Sequence, residues 1–296
     1  MLRTGFIGTG TVGTALATTL SARGYQVVAV YNRSKESAVK LARYINGCLA
    51  VDSGQAVADT TELVFITTPD DAIPSVVAGI QWRPNQSVVH CSGADSTDVL
   101  EPARQLGAQV GAFHPLQTFA SVKQAIDNIP GSTFAIEAEE PLNTTLKEMA
   151  NTLEGQWIEL KASDKVLYHA AAVIACNYLV TLVKVATDLW QTFNIPVYQA
   201  TKALMPLLQG TLNNIDSIGI PNCLTGPIAR GDTGTINKHL KALEKSAPAV
   251  LSTYRELGLQ TIPVSLAKGR INQQQADELE TILKTPDSSR GKESGQ

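Results

Sequence analysis

The stretch RTGFIGTGTVGTALATTL, residues 3–20, decides the fold. A short strand-like run stops at Gly8, and a helix-like stretch opens after Gly10. Gly8, Gly10 and Gly13 stand between them in the spacing G-x-G-x-x-G. The first glycine permits a tight turn. The second lets the backbone approach a pyrophosphate, and the third lets helix and strand pack closely. The helix N-terminus at Thr11 and Val12, with Thr9 inside the turn, offers free N–H groups and a partial positive charge. Residues 8–13 are therefore the expected seat of a dinucleotide's phosphates; the alternative is a glycine-rich turn with no ligand.

The second strand, QVVAVY at residues 26–31, indicates which dinucleotide to expect. Chains that bind NAD carry an acidic residue near this strand's end to hold the ribose hydroxyls. Here Asn32, Arg33 and Ser34 follow. No carboxylate repels a 2′-phosphate, Arg33 can pair with one, and Ser34 can add a hydrogen bond. The expected cofactor is NADP, with NADPH preferred over NADH; the alternative is that Arg33 is a solvated loop charge.

Outward from this motif, short apolar runs alternate with helical stretches. Strands are expected at residues 4–7, 26–31, 63–67, 87–90, 109–113, 132–136 and 156–160, with helices such as 12–23 and 35–45 between them. This alternation means an α/β fold with a doubly wound, mostly parallel sheet. Near Lys161 the pattern changes to long helical periods, so an all-α C-terminal domain is expected. The divisions read as 1–161 (nucleotide-binding), 162–285 (helical, for substrate and dimerisation) and a polar, disordered tail at 286–296. One helix is expected from Asp164 to about Phe193, and others at 198–214, 235–245, 248–256 and 273–283. The most apolar run, AAAVIACNYLVTLV at 170–183, is shorter than the roughly 20 residues a bilayer helix needs. It reads as a buried helix, in the core or at a dimer contact.

A net charge of −3 advertises no basic face, so no nucleic-acid partner is expected. Cys48, Cys91, Cys176 and Cys223 are scattered, without metal-ligand spacing. No metal site is expected, and a cytoplasmic setting is. The opening MLRTGFIGTG reads as entering a strand at once, so no signal peptide is expected.

Three later strands run into chemistry-bearing residues. Residues 63–67 lead into Thr67-Thr68-Pro69, residues 87–90 into Cys91-Ser92-Gly93, and residues 109–113 into His114-Pro115. In a doubly wound sheet such carboxyl ends line one crevice. Thr67, Thr68, Pro69, Ser92 and Gly93 are candidate cofactor contacts or helix caps. His114 is a candidate catalytic group at a strand's end, while His90 reads as a core histidine. In the helical part, Lys165 and His169 are four apart and share a helix face. They read as further catalytic candidates, with Asn177 as a substrate contact; otherwise His169 bonds within the core and Lys165 snorkels to water. In LTGPIARGDTGT, residues 224–235, Thr225 and Arg230 are candidate substrate ligands, Arg230 as a bidentate carboxylate clamp. Its alternative is a surface ion pair.

Taken in order, FIGTGTVG, VYNRS, TTPDDAI, HCSG, FHPLQTF, YHAAAVIACNYL and LTGPIARGDTGT resemble the Rossmann-like NADP-dependent oxidoreductases with a helical C-terminal domain of unknown function. The family is similar in architecture to pyrroline-5-carboxylate reductase and, more distantly, to ketopantoate and β-hydroxyacid dehydrogenases. The resemblance implies a Rossmann domain, a helical dimerisation domain and a homodimer. It also implies a nicotinamide cofactor held by Gly8, Gly10, Gly13 and the Asn32-Arg33-Ser34 turn. The chain departs from β-hydroxyacid dehydrogenases, which place a catalytic lysine four residues before an asparagine; here His169 stands at that spacing.

The expected function is hydride transfer between NADP and a C=O or C=N carbon of a small, carboxylate-bearing substrate. His114, His169 or Lys165 would supply the proton. The alternative is a dinucleotide-binding regulatory or partner protein without catalysis.

Overall fold

The computed structural model describes residues 2–284; the tail expected at 286–296 lies outside the described residues. Eight strands form one sheet: β1 (Arg3–Ile7), β2 (Gln26–Tyr31), β3 (Leu49–Ala50), β4 (Leu63–Ile66), β5 (Ser87–His90), β6 (Gln109–Leu116), β7 (Thr133–Ala138) and β8 (Gln156–Glu159). Their order is β3-β2-β1-β4-β5-β6-β7-β8. The reversal next to β1 is the doubly wound switch point, beside which such folds bind ligands. Neighbours run parallel except β6 and β7.

β4 and β5 are buried at every residue, as strands covered on both faces must be. On one face Phe6 stacks on Phe65 at 5.0 Å between centroids, and Phe113 on Phe134 at 4.5 Å. On the other, Ile7, Val64, Ile66 and Val88 pack beneath Val57, Ile73 and Val77.

β6 differs from its expected form. It does not stop at Phe113 but runs through His114 and Pro115 to Leu116. Its parallel ladder with β5 ends at the pair His90–Ala112. Its antiparallel ladder with β7 continues to Leu116–Thr133. His114 therefore lies within a strand, on a projection beyond the end of β5.

The chain forms two compact units, Met1–Asn177 and Tyr178 onward. The division falls later than the change of pattern at residue 161, because the first turns of the helix at Lys165 bond to the sheet's loops, as described below. The expected single helix is interrupted: Lys165–Ala172 is α-helical, Val173–Asn177 makes a wider π turn, and Tyr178–Gln191 resumes the α form. Of the two settings expected for this helix, the chain's own core is not the one seen in the single chain. Val166, Leu167, Ile174 and Val180 are 65%, 76%, 64% and 70% exposed in the single chain. With its flanks, Ala162–Gln191 spans 30 residues and is long and apolar enough to cross a membrane by length and composition, unlike the shorter run read from sequence.

In the second unit the helices are Tyr178–Gln191, Val197–Ile218, Thr233–Ser246, Pro248–Ala267 and Gln273–Lys284. Ile236, Leu251, Ile262 and Leu279 form their core. Pro248–Ala267 continues well past the expected end at Glu256. Gly258 lies within it because Leu283 packs 2.9 Å from where a Cβ would project.

Candidate active site

The glycine turn has the shape the sequence implies. Gly8 has φ +108°, and a Cβ there would meet Thr67 backbone at 2.6 Å. A Cβ on Gly13 would lie 2.3 Å from the Gly8 carbonyl oxygen and 2.4 Å from Thr67 Oγ1. Both positions therefore admit only glycine without rearrangement. Gly10 is the opposite case: its Cβ would project into open space. Gly10 is also the N-cap of the helix Thr11–Ala22, and no side chain caps that end. An uncapped helix N-terminus behind an open glycine fits a pyrophosphate.

Several candidate cofactor contacts are already engaged in the fold. Thr67 Oγ1 donates to the Gly8 carbonyl at 2.7 Å, tying β4 to the turn. Asn32 Oδ1 accepts from Thr9 N–H, and Asn32 Nδ2 donates to the Ser34 carbonyl. Ser34 Oγ caps the next helix through Ser37 N–H. These groups shape the turn, while Arg33 stands exposed at its tip. Thr68 Oγ1 is buried without a hydrogen-bond partner. Pro69 starts the short helix Asp70–Ala72.

At the carboxyl ends of β5 and β6, four candidates come together. A Cβ on Gly93 would lie 2.6 Å from His169 Nδ1 and 2.8 Å from His114 Nε2. With no side chain on Gly93, the two ring nitrogens converge in a narrow notch and take up the place of a Cβ. His169 Nδ1 is buried and has no hydrogen-bond partner. His114 Nδ1 is 2.8 Å from the hydroxyl of Tyr168, whose ring meets the imidazole edge-on. His114 and His169 also line a cavity of about 450 Å³, together with Thr118, Tyr168, Cys176 and Asn177. The π turn carries Cys176 and Asn177, so Asn177 shares a cavity with His169 despite the sequence gap between them. Such wide turns recur at functional sites.

Burial, with smaller contributions from Lys165 and His169, pushes the His114 imidazole down to about 4. Burial pushes the Tyr168 phenol up to about 12. Both are uncharged near neutral pH. His90 is a core residue, as expected: its Nδ1 accepts from Ser92 N–H at 3.1 Å, and its Nε2 meets the Ser96 carbonyl at 3.2 Å.

Lys165 does not snorkel. It is fully buried, donates to the Ser92 carbonyl at 3.3 Å and faces Glu137 Oε2 at 3.8 Å. Burial pulls its amine below the ordinary lysine value, against the attraction of Glu137 and weaker help from Cys91, Asp95 and Asp70. Glu137 Oε1 accepts from Thr97 N–H and Oγ1–H, while Oε2 is buried without a hydrogen bond. Ser92 Oγ lies 2.8 Å from Asp70 and 3.0 Å from Asp95, and its single proton serves one carboxylate at a time.

Tyr168 and Glu137 were not among the sequence candidates. Tyr168 has a weak signal, the i, i+3 spacing from Lys165. Glu137 is a carboxylate in the otherwise apolar strand TFAIEA.

Thr225 and Arg230 belong to the second compact unit. There Arg230 is exposed and pairs with Asp232 at 3.3 Å. Asp232 caps the following helix through Thr235. Lys268 and Ser265 pin the loop by its Asn222, Leu224 and Ile228 carbonyls. Among the described residues no group of three or more His, Cys, Asp or Glu side chains is arranged to hold a metal ion.

Comparison with known proteins agrees with this architecture. Residues 1–115 match the family model of a Rossmann-like domain, and residues 132–261 match that of a domain of unknown function, DUF2520. Among solved structures, a Bacteroides fragilis protein provisionally assigned as an NADP oxidoreductase is 26% identical. That match covers 91% of this chain and 98% of the other, with a TM-score of 0.69. A reductive aminase of Aspergillus terreus, solved with NADPH, is 16% identical over 96% of this chain and 92% of the other (TM-score 0.63). A Plasmodium falciparum pyrroline carboxylate reductase with NADP bound is 14% identical over 95% and 98% (TM-score 0.59). No curated protein matches the chain. The chain joins a Rossmann-like domain to a DUF2520 domain, in a fold shared with NADP-binding reductases.

Proposed function

We propose that this chain is an NADP(H)-dependent oxidoreductase acting on a C=O or C=N carbon of a small substrate. One observation carries the reading: His114 Nε2 and His169 Nδ1 converge beside Gly93, at the same end of the sheet as the glycine turn. Gly8, Thr9, Gly10, Thr11, Val12 and Gly13 would hold the pyrophosphate. Arg33, with no carboxylate at the end of β2, would take the 2′-phosphate. NADPH, when bound, supplies the hydride.

The chain's own groups would do the rest. His114 and His169 line the cavity and would bind the substrate heteroatom. As charge develops there, His114 Nε2 would yield its proton as Nδ1 takes that of Tyr168, whose hydroxyl, on a half-buried residue, would recover one from solvent. Lys165 lies behind Ser92 and Gly93; its charge would hold that loop and favour negative charge in the notch. Asn177 would orient the substrate's body. The cavity's lining in the first unit holds no Lys or Arg; within the second unit Arg230 and Thr225 stay the candidates for a substrate carboxylate. The exposed apolar side chains of helices Lys165–Ala172, Tyr178–Gln191 and Val197–Ile218 favour a homodimer, in the cytoplasm, without nucleic-acid or membrane partners.

Calorimetric titration tests the cofactor reading. NADPH is expected to bind more tightly than NADH, and Arg33→Ala to erase that preference. Turnover of a panel of ketones and cyclic imines tests the chemistry. His114→Gln and His169→Gln are each expected to lower kcat by 10²-fold or more. If neither nucleotide binds, the reading fails. Binding without turnover across the panel returns the chain to the regulatory alternative.

A further inference from the structure

His114 has two ring nitrogens with different surroundings. Nδ1 has one neighbour, the Tyr168 hydroxyl at 2.8 Å, and Nε2 points at the notch beside Gly93. A neutral imidazole carries one proton, and the bond made by one nitrogen decides what the other offers. The hydroxyl of Tyr168 can donate or accept. If it accepts, Nδ1 keeps the proton and the notch faces a lone pair. If it donates, Nε2–H points into the notch.

The surroundings favour donation. A phenol is a far better hydrogen-bond donor than acceptor toward imidazole, whose unprotonated nitrogen is the strongest neutral acceptor among side chains. Lys165 and His169 are the titratable groups that act on the His114 ring, and the buried cation of Lys165 opposes a second proton on it. His169 Nδ1, buried and without a partner, packs against Gly93 across from it. The remaining walls include Leu116, Ala171, Ala172 and Ala175, which suit an apolar body.

We propose that Tyr168 is a positioning residue that fixes His114 as the Nε2–H tautomer, so that the cavity lined by His114 selects a hydrogen-bond acceptor. The group it takes is a carbonyl oxygen or an unprotonated imine nitrogen on a small apolar body. A protonated iminium, whose N–H is itself a donor and whose charge faces buried Lys165, is rejected. The substrate part of this proposal rests on the oxidoreductase reading; the tautomer does not.

Nitrogen-15 NMR of histidine-labelled protein tests both. The chain has four histidines. His90 supplies an internal reference, because Ser92 N–H donates into its Nδ1 and so fixes its Nε2–H form. His239, 2.8 Å from the Tyr254 hydroxyl, supplies a second His–Tyr pair in the other unit. At pH 7 the wild-type His114 signals are expected to show protonated Nε2 and bare Nδ1. Tyr168→Phe, which preserves ring packing, should convert them to a mixture of tautomers. Cyclohexanone added to the NADP⁺-loaded chain should shift the His114 Nε2 signal, with at least fivefold weaker binding in Tyr168→Phe. Piperidinium, a charged ring of the same size that donates N–H bonds, should not shift it at equal concentration.

A wild-type Nδ1–H tautomer overturns the proposal without recourse to any variant. So does an unchanged His114 spectrum in Tyr168→Phe that melts like wild type, or binding of piperidinium in preference to cyclohexanone. Failure of NADP⁺ to bind calorimetrically defeats the oxidoreductase reading instead, and the tautomer measured on the free chain still decides the role of Tyr168.

Discussion

Lowering the pH tests whether His114 is held neutral. Its imidazole falls from an ordinary 6.5 to about 4 in the folded chain. Between those values the unfolded chain binds the proton that the folded chain refuses. Stability is therefore fully present above pH 6.5 and is lost as pH falls toward 4. The difference corresponds to about 3 kcal/mol, of which between about 2 and 3 kcal/mol should be gone by pH 4.5. His90, pushed to about 3 mainly by burial, contributes a loss of the same sign, so the wild-type slope alone identifies neither residue. The useful quantity is a difference of differences: the stability lost between pH 7.5 and 4.5 in wild type, minus that lost in His114→Gln. Urea unfolding can follow Trp82, buried in the first unit, after Trp157 and Trp190 are changed to Phe. The expected value is about 2 to 3 kcal/mol. A value within about 0.5 kcal/mol of zero, the usual scatter of additive sites, would mean that His114 is protonated as easily folded as unfolded. A ring that charges so readily would act as an ordinary acid and would not need Tyr168 behind it.

Other substitutions separate shape from ligand contact. Gly13→Ala should destabilise by about 1–3 kcal/mol through overpacking, seen as a lower Tm, because its Cβ meets the Gly8 carbonyl oxygen at 2.3 Å. Gly10→Ala, whose Cβ meets nothing within 4 Å, should leave Tm nearly unchanged yet weaken NADPH in calorimetry at least tenfold. Lys165→Met should cost about 3–5 kcal/mol in urea unfolding, since it strands the Glu137 carboxylate. Lys165→Met with Glu137→Gln should recover most of that loss, and a purely additive double variant would count against the pair.

The sheet was legible because its buried strands are apolar throughout and its glycines sit in a spacing with few other uses. β6 was cut short because Pro115 reads as a terminator. The structure shows that a proline can continue a strand where one neighbour has already ended. The helix after Lys161 was legible as a helix, but its wide turn was not, because VIACN contains neither glycine nor proline. Its apolar composition reports a need for cover, not which surface supplies it.

At the site, His114, Lys165 and His169 stood out as titratable groups in apolar surroundings. Asn32, Ser34, Thr67 and Ser92 read as ligand contacts, and each also holds a hydrogen bond within the fold. Residue type alone does not show whether a hydroxyl is free. Glu137 and Tyr168 escaped notice because their partners, Thr97, Lys165 and His114, are close only after the sheet has formed.

The projection of β6 has a consequence for how the molecule meets its neighbours. Beyond Ala112 the strand has lost β5; His114 is half-buried, Pro115 buried and Leu116 exposed, and a strand edge left open can recruit extended segments from other chains. Proline is tolerated in a sheet where its missing N–H turns away from a partner, and there it blunts the edge. Pro115, directly after His114 in the ladder to β7, fits that requirement. The residue that makes the strand seem to end early is suited to keeping the ledge that carries His114 from becoming a seam between molecules.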